Sequence, residues 1–321
     1  MPDENIETVF KIVQKFIETP PLIVWGSGAT ISFGLPSMWD LNEALKKEIK
    51  DFDIKNENLE IELGKEKYQE EMPQIKKIIW DTIHKIDIQV LEKVLLGNPE
   101  FNGVEVLIKK LIDTHPKVVN IITTNYDRVL EYVLSYNNIP FTDGFNGKIL
   151  SIFDNTLFKD RDMVNLIKVH GSLNWFNVND DIRYINCYSD KYEPQIITPS
   201  KDKYREAHRS PYRELIRKSD SLIETASSFL VVGFGFNDEH LTPKIREKVK
   251  EGIPTVLITK EVTENTKEEL KDADKYIFLE DSSKENKTKI TYKTSKDSTE
   301  ISLEIDGSYW QLNKFMEILQ L

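Results

Sequence analysis

Two side chains in this sequence are of the kind that orient oxygens and move protons, and each stands just after an apolar run. Asn125, in Thr123-Thr124-Asn125-Tyr126-Asp127, carries a donor and an acceptor and can orient a ribose or a water. Asp127, two residues on, can accept from an amide donor. Asn and Asp also cap helices, so the residues alone leave both readings open. His170, in Val169-His170-Gly171-Ser172, is of a type that titrates near neutral pH and can take a proton from a ribose hydroxyl or a water. A structural histidine is the plainer alternative. Two glycine segments accompany them. Gly26-Ser27-Gly28-Ala29-Thr30, continuing to Gly34-Leu35-Pro36, lets the backbone approach a diphosphate, or simply makes a tight strand–helix turn. It is not a GxGxxG fingerprint. Gly233-Phe234-Gly235-Phe236-Asn237-Asp238 again permits close approach, with Asn237 or Asp238 either meeting ribose hydroxyls or capping the next helix. Ile197-Thr198-Pro199-Ser200 is either a loop over the crevice or an ordinary turn. His84, His115, His208 and His240 form no HExxH pattern and no metal-ligand spacing.

Short buried strands must carry these segments. Leu22–Trp25, Val118–Thr124, Leu166–Val169, Phe229–Val232 and Thr255–Ile258 are apolar runs of strand length, separated by stretches of helical periodicity. That alternation predicts an α/β fold: a Rossmann-like, mainly parallel sheet with helices on both faces. Four of the five runs end in the polar or glycine segments above. In open parallel sheets ligands bind beyond the carboxyl ends of the strands, so the four ends point at one crevice. Residues 40–115 show no strand signal and read as an inserted helical module, with apolar faces Ile75–Ile86 and Val104–Ile112 and a charge-rich stretch, 46–72, read as solvated. Val9, Ile12, Val13, Phe16 and Ile17 mark an opening amphipathic helix that Pro20 and Pro21 stop. The division expected is residues 1–260 as the ligand-binding domain and 261–321 as a C-terminal extension. In that extension Ile290–Thr294 and Glu300–Ile305 form a hairpin, and Trp310–Leu319 a closing helix.

Composition narrows the class. The 321 residues carry a formal net charge of −11, which argues against a general electrostatic footprint for nucleic acid. Cys187 is the only cysteine, so neither an intrachain disulfide nor a cysteine-based zinc ribbon can form. The N-terminal segment is polar and amphipathic, and the longest apolar runs are too short to span a bilayer, so the expectation is a cytoplasmic protein without a membrane segment.

At the segments quoted above, the sequence resembles the sirtuin superfamily. Gly26–Thr30 with Gly34-Leu35-Pro36 resembles its opening glycine-rich signature, Thr124–Asp127 its Gln-Asn-Ile-Asp element, and His170-Gly171 its catalytic His-Gly. Gly233-Phe234-Gly235 falls where sirtuins carry Gly-Thr-Ser. The order is the family's, over residues 20–260. Two departures point away from peptide deacylation: the deacylases' four zinc-binding cysteines are reduced to Cys187, and their Asp-Phe-Arg segment is Ser37-Met38-Trp39. In Thr123–Asp127, Lys168–Trp175, Ile196–Tyr204 and Gly233–His240 the chain is similar to the sirtuin-like NAD hydrolases of bacterial anti-phage defence, nearest to those paired with a HerA-type hexameric ATPase.

That resemblance implies NAD as substrate, no metal, and cleavage of the nicotinamide–ribose bond to nicotinamide and ADP-ribose. It implies Gly26, Ser27, Gly28, Ala29 and Thr30 at the diphosphate, Asp127 at the nicotinamide carboxamide, Asn125 beside the ribose, His170 as base, and Gly233 and Gly235 near the adenosine half. It also implies a homo-oligomer with a HerA-type partner. The apolar faces of the opening helix and of the 40–115 insertion are the expected contact surfaces. The rival functions are a deacylase or ADP-ribosyltransferase using the same pocket, and a module that senses NAD or ADP-ribose without turnover.

Overall fold

The β-branched and aromatic runs become buried parallel strands because each is short and closed by a breaker. The computed structural model describes residues 4–52, 59–147, 149–186, 191–198 and 208–320. Cys187, Pro199 and Ser200 lie outside them. In chain order the elements open with α1 (Glu4–Phe16), β1 (Leu22–Trp25), α2 (Gly28–Ile31), α3 (Met38–Glu48), α4 (Leu59–Leu63), α5 (Met72–Leu95) and α6 (Asn102–Ile112). Then come β2 (Val118–Thr123), α7 (Val129–Tyr136), β3 (Phe141–Thr142), β4 (Leu150–Ile152), β5 (Met163–Lys168), β6 (Gly171–Val178), β7 (Asp181–Ile185) and β8 (Pro194–Ile196). The chain closes with α8 (Tyr212–Glu224), β9 (Phe229–Val232), α9 (Thr242–Lys250), β10 (Thr255–Ile258), α10 (Glu264–Leu270), β11 (Tyr276–Asp281), β12 (Lys287–Lys293), β13 (Ile301–Asp306) and α11 (Leu312–Gln320).

Nine strands form the main sheet in the order β13-β12-β11-β10-β9-β1-β2-β5-β3, parallel from β11 to β3. This is the α/β architecture the alternation predicts. Every residue of β1, β9 and β10 is buried, as a sheet covered on both faces requires. Each such Val, Leu or Ile contributes roughly 1.5–3 kcal/mol relative to exposure. After β1 the chain moves outward through β2 to β5 and β3, then returns to the other side of β1 for β9, β10 and β11. The switch point therefore lies between β1 and β9, where open parallel sheets bind ligands. The strand ends are level there: Trp25 pairs with Thr123 and Val232, and Thr123 pairs with Lys168.

Between β1 and β2 the described residues contain only helices, which cover the site from one side. Trp80 Nε1 donates to Leu173 O at 2.9 Å and ties α5 to β6. The stretch 46–72, read as solvated, is partly core: Leu59, Leu63 and Tyr68 are buried, and so is Glu62. Burial alone would raise the Glu62 carboxyl, but hydrogen bonds from Lys65, Tyr68 and Lys67 override it and hold the group at about 2. Charge density in sequence thus hid one buried carboxylate with three donors around it.

Three further features were not read from the sequence. A second sheet, in the order β4-β7-β6-β8, stands on β5 through Gly171. β3 is a two-residue edge strand. β11 carries the main sheet outward from β10, so the β12–β13 hairpin extends that sheet, while α11 packs on α6 and α1. The amphipathic face of α1, expected to be available to a second subunit, is consumed here: Val9, Phe10, Val13 and Phe16 are all buried within the chain's own core.

Candidate functional site

Because β1, β2, β5 and β9 end level, the segments that follow them emerge together. They line a cleft of about 190 Å³ whose walls include Ser27, Thr30, Asn125, Asp127, His170 and Gly233. The helical insertion supplies the apolar side, with Met38, Leu41 and Ile83. Met38 reaches the rim because a capping box between Ser37 and Asp40 starts α3 there. Gly26, Gly28 and Ala29 are not among the lining residues, and Gly235 lines the β9 side.

Asn125 is 7% exposed and does not cap α7, which starts at Val129. Its amide nitrogen donates to Gly26 O at 3.2 Å and Thr30 Oγ1 at 3.4 Å. Its carbonyl oxygen is buried without a hydrogen-bond partner among the described residues. An acceptor left so inside a protein costs on the order of 1–3 kcal/mol, which a bound hydroxyl or water would recover. Asp127, 8% exposed, accepts from Thr30 Oγ1 at 3.3 Å and Val129 N at 3.3 Å. Burial pushes its carboxyl up to about 6, opposed by the Lys168 ammonium. The lysine lies beneath the site, donating to Asp127 O and Glu131 Oε1 at 2.6 Å each.

His170 closes the far wall. Its carbonyl accepts from Ile197 N at 2.8 Å, pinning the backbone. Its Nε2 lies 2.9 Å from Asp238 Oδ2. That separation is hydrogen-bond short, but the ring N–H is off the line to the oxygen, so the contact is electrostatic. No hydrogen bond joins Nδ1 to any of the described residues. Asp238 Oδ1 meanwhile accepts from His240 N at 3.0 Å and Leu241 N at 2.8 Å at the start of α9. Sequence left Asp238 between ribose contact and capping. In the structure Asp238 holds the turn that leads into α9 with one oxygen, sets the other against His170, and lines the cleft.

The glycines have a job that sequence did not reveal. A Cβ on Gly26 would lie 2.4 Å from Gly233 O, one on Gly28 2.8 Å from the same oxygen, and one on Gly233 2.1 Å from Ala29 N. Gly28 N donates to Gly233 O at 2.9 Å. The two glycine turns press on each other, and the N–H groups of Gly26, Ala29 and Thr30 donate to backbone carbonyls as well. Ser27 is the member of this turn whose side chain is most exposed at the cleft.

Two more residues position the site. Asp87, fully buried on α5, accepts from Arg128 N at 2.7 Å, Nε at 2.9 Å and Nη2 at 2.7 Å, and from the Tyr132 hydroxyl. It clamps the turn after Asp127 to the insertion. Its sequence signal was its phase: Asp87 falls between Ile83 and Val90 on a core-facing stripe. Among the described residues no group of three or more His, Cys, Asp or Glu is placed to hold a metal, and no helix is long and apolar enough to cross a membrane.

A model of the SIR2-like domain family matches residues 119–299. Among solved structures, a Sir2 homologue–NAD complex is 15% identical, covers 87% of this chain and 88% of its own, and has a TM-score of 0.48. A structure on sirtuin substrate affinity is 14% identical, covers 79% and 88%, and has a TM-score of 0.46. One on the mechanism and regulation of Sir2 enzymes is 13% identical, covers 87% and 92%, and has a TM-score of 0.46. A comparison with curated proteins finds no match.

Proposed function

This chain belongs to the SIR2-like domain family, and from that premise we propose that it hydrolyses NAD at the nicotinamide–ribose bond. The observation that carries the reading is one cleft holding an unpartnered Asn125 carbonyl and the His170–Asp238 pair. The described walls enclose less than the roughly 300–1,000 Å³ of pockets that bury a whole drug-sized ligand. They suit nicotinamide and its ribose, with the diphosphate over the Gly26–Thr30 turn and the adenosine half toward Gly233 and Gly235. Asp127 takes the carboxamide N–H.

In the reaction the C–N bond breaks with its electron pair leaving on neutral nicotinamide. The ribose becomes oxocarbenium-like and water adds to it. Asn125 orients that water through its carbonyl, and His170 takes the proton, with Asp238 stabilising the imidazolium. The products are nicotinamide, ADP-ribose and one proton. No step draws on a metal. The biological setting we infer from the sequence resemblance is NAD depletion in antiviral defence, within a homo-oligomer that a HerA-type ATPase partners.

Incubation of the purified chain with NAD, alone and with such an ATPase, with products identified by mass, tests this. Nicotinamide and ADP-ribose are expected. Asn125→Ala or His170→Ala should each lower cleavage at least about a hundredfold while the fold survives. Near-normal turnover by both folded variants would overturn the assignment. Acyl transfer to ADP-ribose from an added acyl-peptide would instead identify a deacylase, and binding without turnover a sensor.

A further inference from the structure

Consecutive residues of one turn face two cavities. Asp127 lines the cleft above, while Arg128 borders a second cavity of about 400 Å³ between α7, β3 and the small sheet. Its polar lining is rich in acceptors. Asp143 is 5% exposed, and its Oδ1 accepts from Phe145 N at 3.0 Å. No described cation forms an ion pair with it. The two cations nearby are already neutralised: Arg128 by Asp87 and Lys168 by Glu131. Burial accordingly pushes the Asp143 carboxyl up to about 6. Asn174 is also 5% exposed, and its Oδ1 has no hydrogen-bond partner among the described residues. The Phe145 and Tyr184 rings stand in the wall with centroids 6.1 Å apart.

Among the described residues, a buried carboxylate without a counter-ion and a buried carbonyl without a donor, with two aromatic rings in the same wall, together form the complement of a cation that carries N–H groups. We propose that this cavity binds a small organic cation of the alkylguanidinium or alkylammonium class. Asp143 takes its charge, Asn174 Oδ1 accepts one N–H, and the rings of Phe145 and Tyr184 flank it. An anion or a nucleotide would meet Asp143 and Glu131 and be repelled. The assignment is independent of what the neighbouring cleft does.

Calorimetric titration of the full chain with methylguanidinium, and with methylurea as its neutral counterpart of the same shape, tests the site. Methylguanidinium should bind saturably and methylurea should not. Asp143→Asn should weaken methylguanidinium at least about tenfold, as loss of a charge-assisted bond does. Asn125→Ala, in the other cleft, should leave it unchanged. Should Asp143→Asn fail to fold, Asn174→Asp supplies a second carboxylate and must tighten binding. Equal binding of methylurea and methylguanidinium, no methylguanidinium binding by the wild type, unaltered affinity in folded Asp143→Asn or Asn174→Asp, or loss of binding in Asn125→Ala would each overturn the proposal.

Discussion

Asp238 joins two tasks that a single substitution can separate. One oxygen holds the turn that leads into α9 and the other lies against His170. An Asn carbonyl accepts the same turn N–H bonds as an Asp oxygen, so Asp238→Asn keeps the turn and removes the charge. Cleavage of NAD should fall by about tenfold or more with KM little changed, as for loss of an interaction made mainly in the transition state. The melting temperature should barely move. A large loss of stability with kcat intact would make Asp238 structural only. Asp127 invites a titration. Its folded-state carboxyl is raised from 3.8 to about 6, first by burial, so the folded chain holds the proton more tightly than the unfolded one. Its contribution to stability is then full below 3.8 and is lost as pH rises to about 6. Wild type should therefore lose stability relative to Asp127→Asn across that window in denaturant titrations. A constant difference would show that the carboxyl is not raised. Glu62, whose folded-state carboxyl is lowered, acts in the opposite sense at lower pH but is common to both proteins. That Asn125, Asp127 and His170 would meet at one cleft was legible because each follows an apolar run. The partners were not: nothing in a linear sequence joins Asp238 to His170 or Asp87 to Arg128.

The strands that hold the site were legible for a related reason. Full burial on both faces demands unbroken apolar runs, and β1, β9 and β10 are such runs. The small sheet escaped because its strands break their apolar runs with polar residues even where they are buried. β6 carries Asn174 and Asn177, β7 begins at Asp181 and includes Arg183, and β8 begins at a proline. β11 follows directly on a charge-rich stretch that drew the eye to solvent. Glycine was visible as a type, but whether its bare Cα faces a ligand or another turn was not. The two turns can be told apart by substitution. Gly233 has φ +58° and its missing Cβ would strike Ala29 N, whereas a Cβ on Gly235 would meet only the Asn237 amide at 3.1 Å. Gly233→Ala should cost at least about 2 kcal/mol, from backbone strain and forced separation of the turns. Gly235→Ala should cost well under half of that. Chemical denaturation of both variants checks the ranking, and equal costs would mean that the turns are free to part.

Self-association is where the reading of the whole molecule changes most. The sequence offered α1 as an unpaired amphipathic helix, and amphipathic helices serve either their own core or a neighbour's. Here α11 and the main sheet cover it, and Val13 has no exposed surface. A homo-oligomer remains our expectation, but the apolar face of α1 cannot be its contact without the chain opening. Val13→Asp separates the cases. If α1 is core, the buried charge should cost at least about 3 kcal/mol, and the chain should unfold or melt far lower, whatever its assembly state. If α1 is an interface, the same variant should remain folded with its melting profile nearly intact, and light scattering at micromolar concentration should report a monomer where the wild type gives an oligomer. The packing in the structure predicts the first outcome. A wild type that scatters as a monomer, with or without NAD, would remove the oligomer altogether while leaving the core assignment of α1 standing, because intrachain burial of Val13 asks nothing of a second copy.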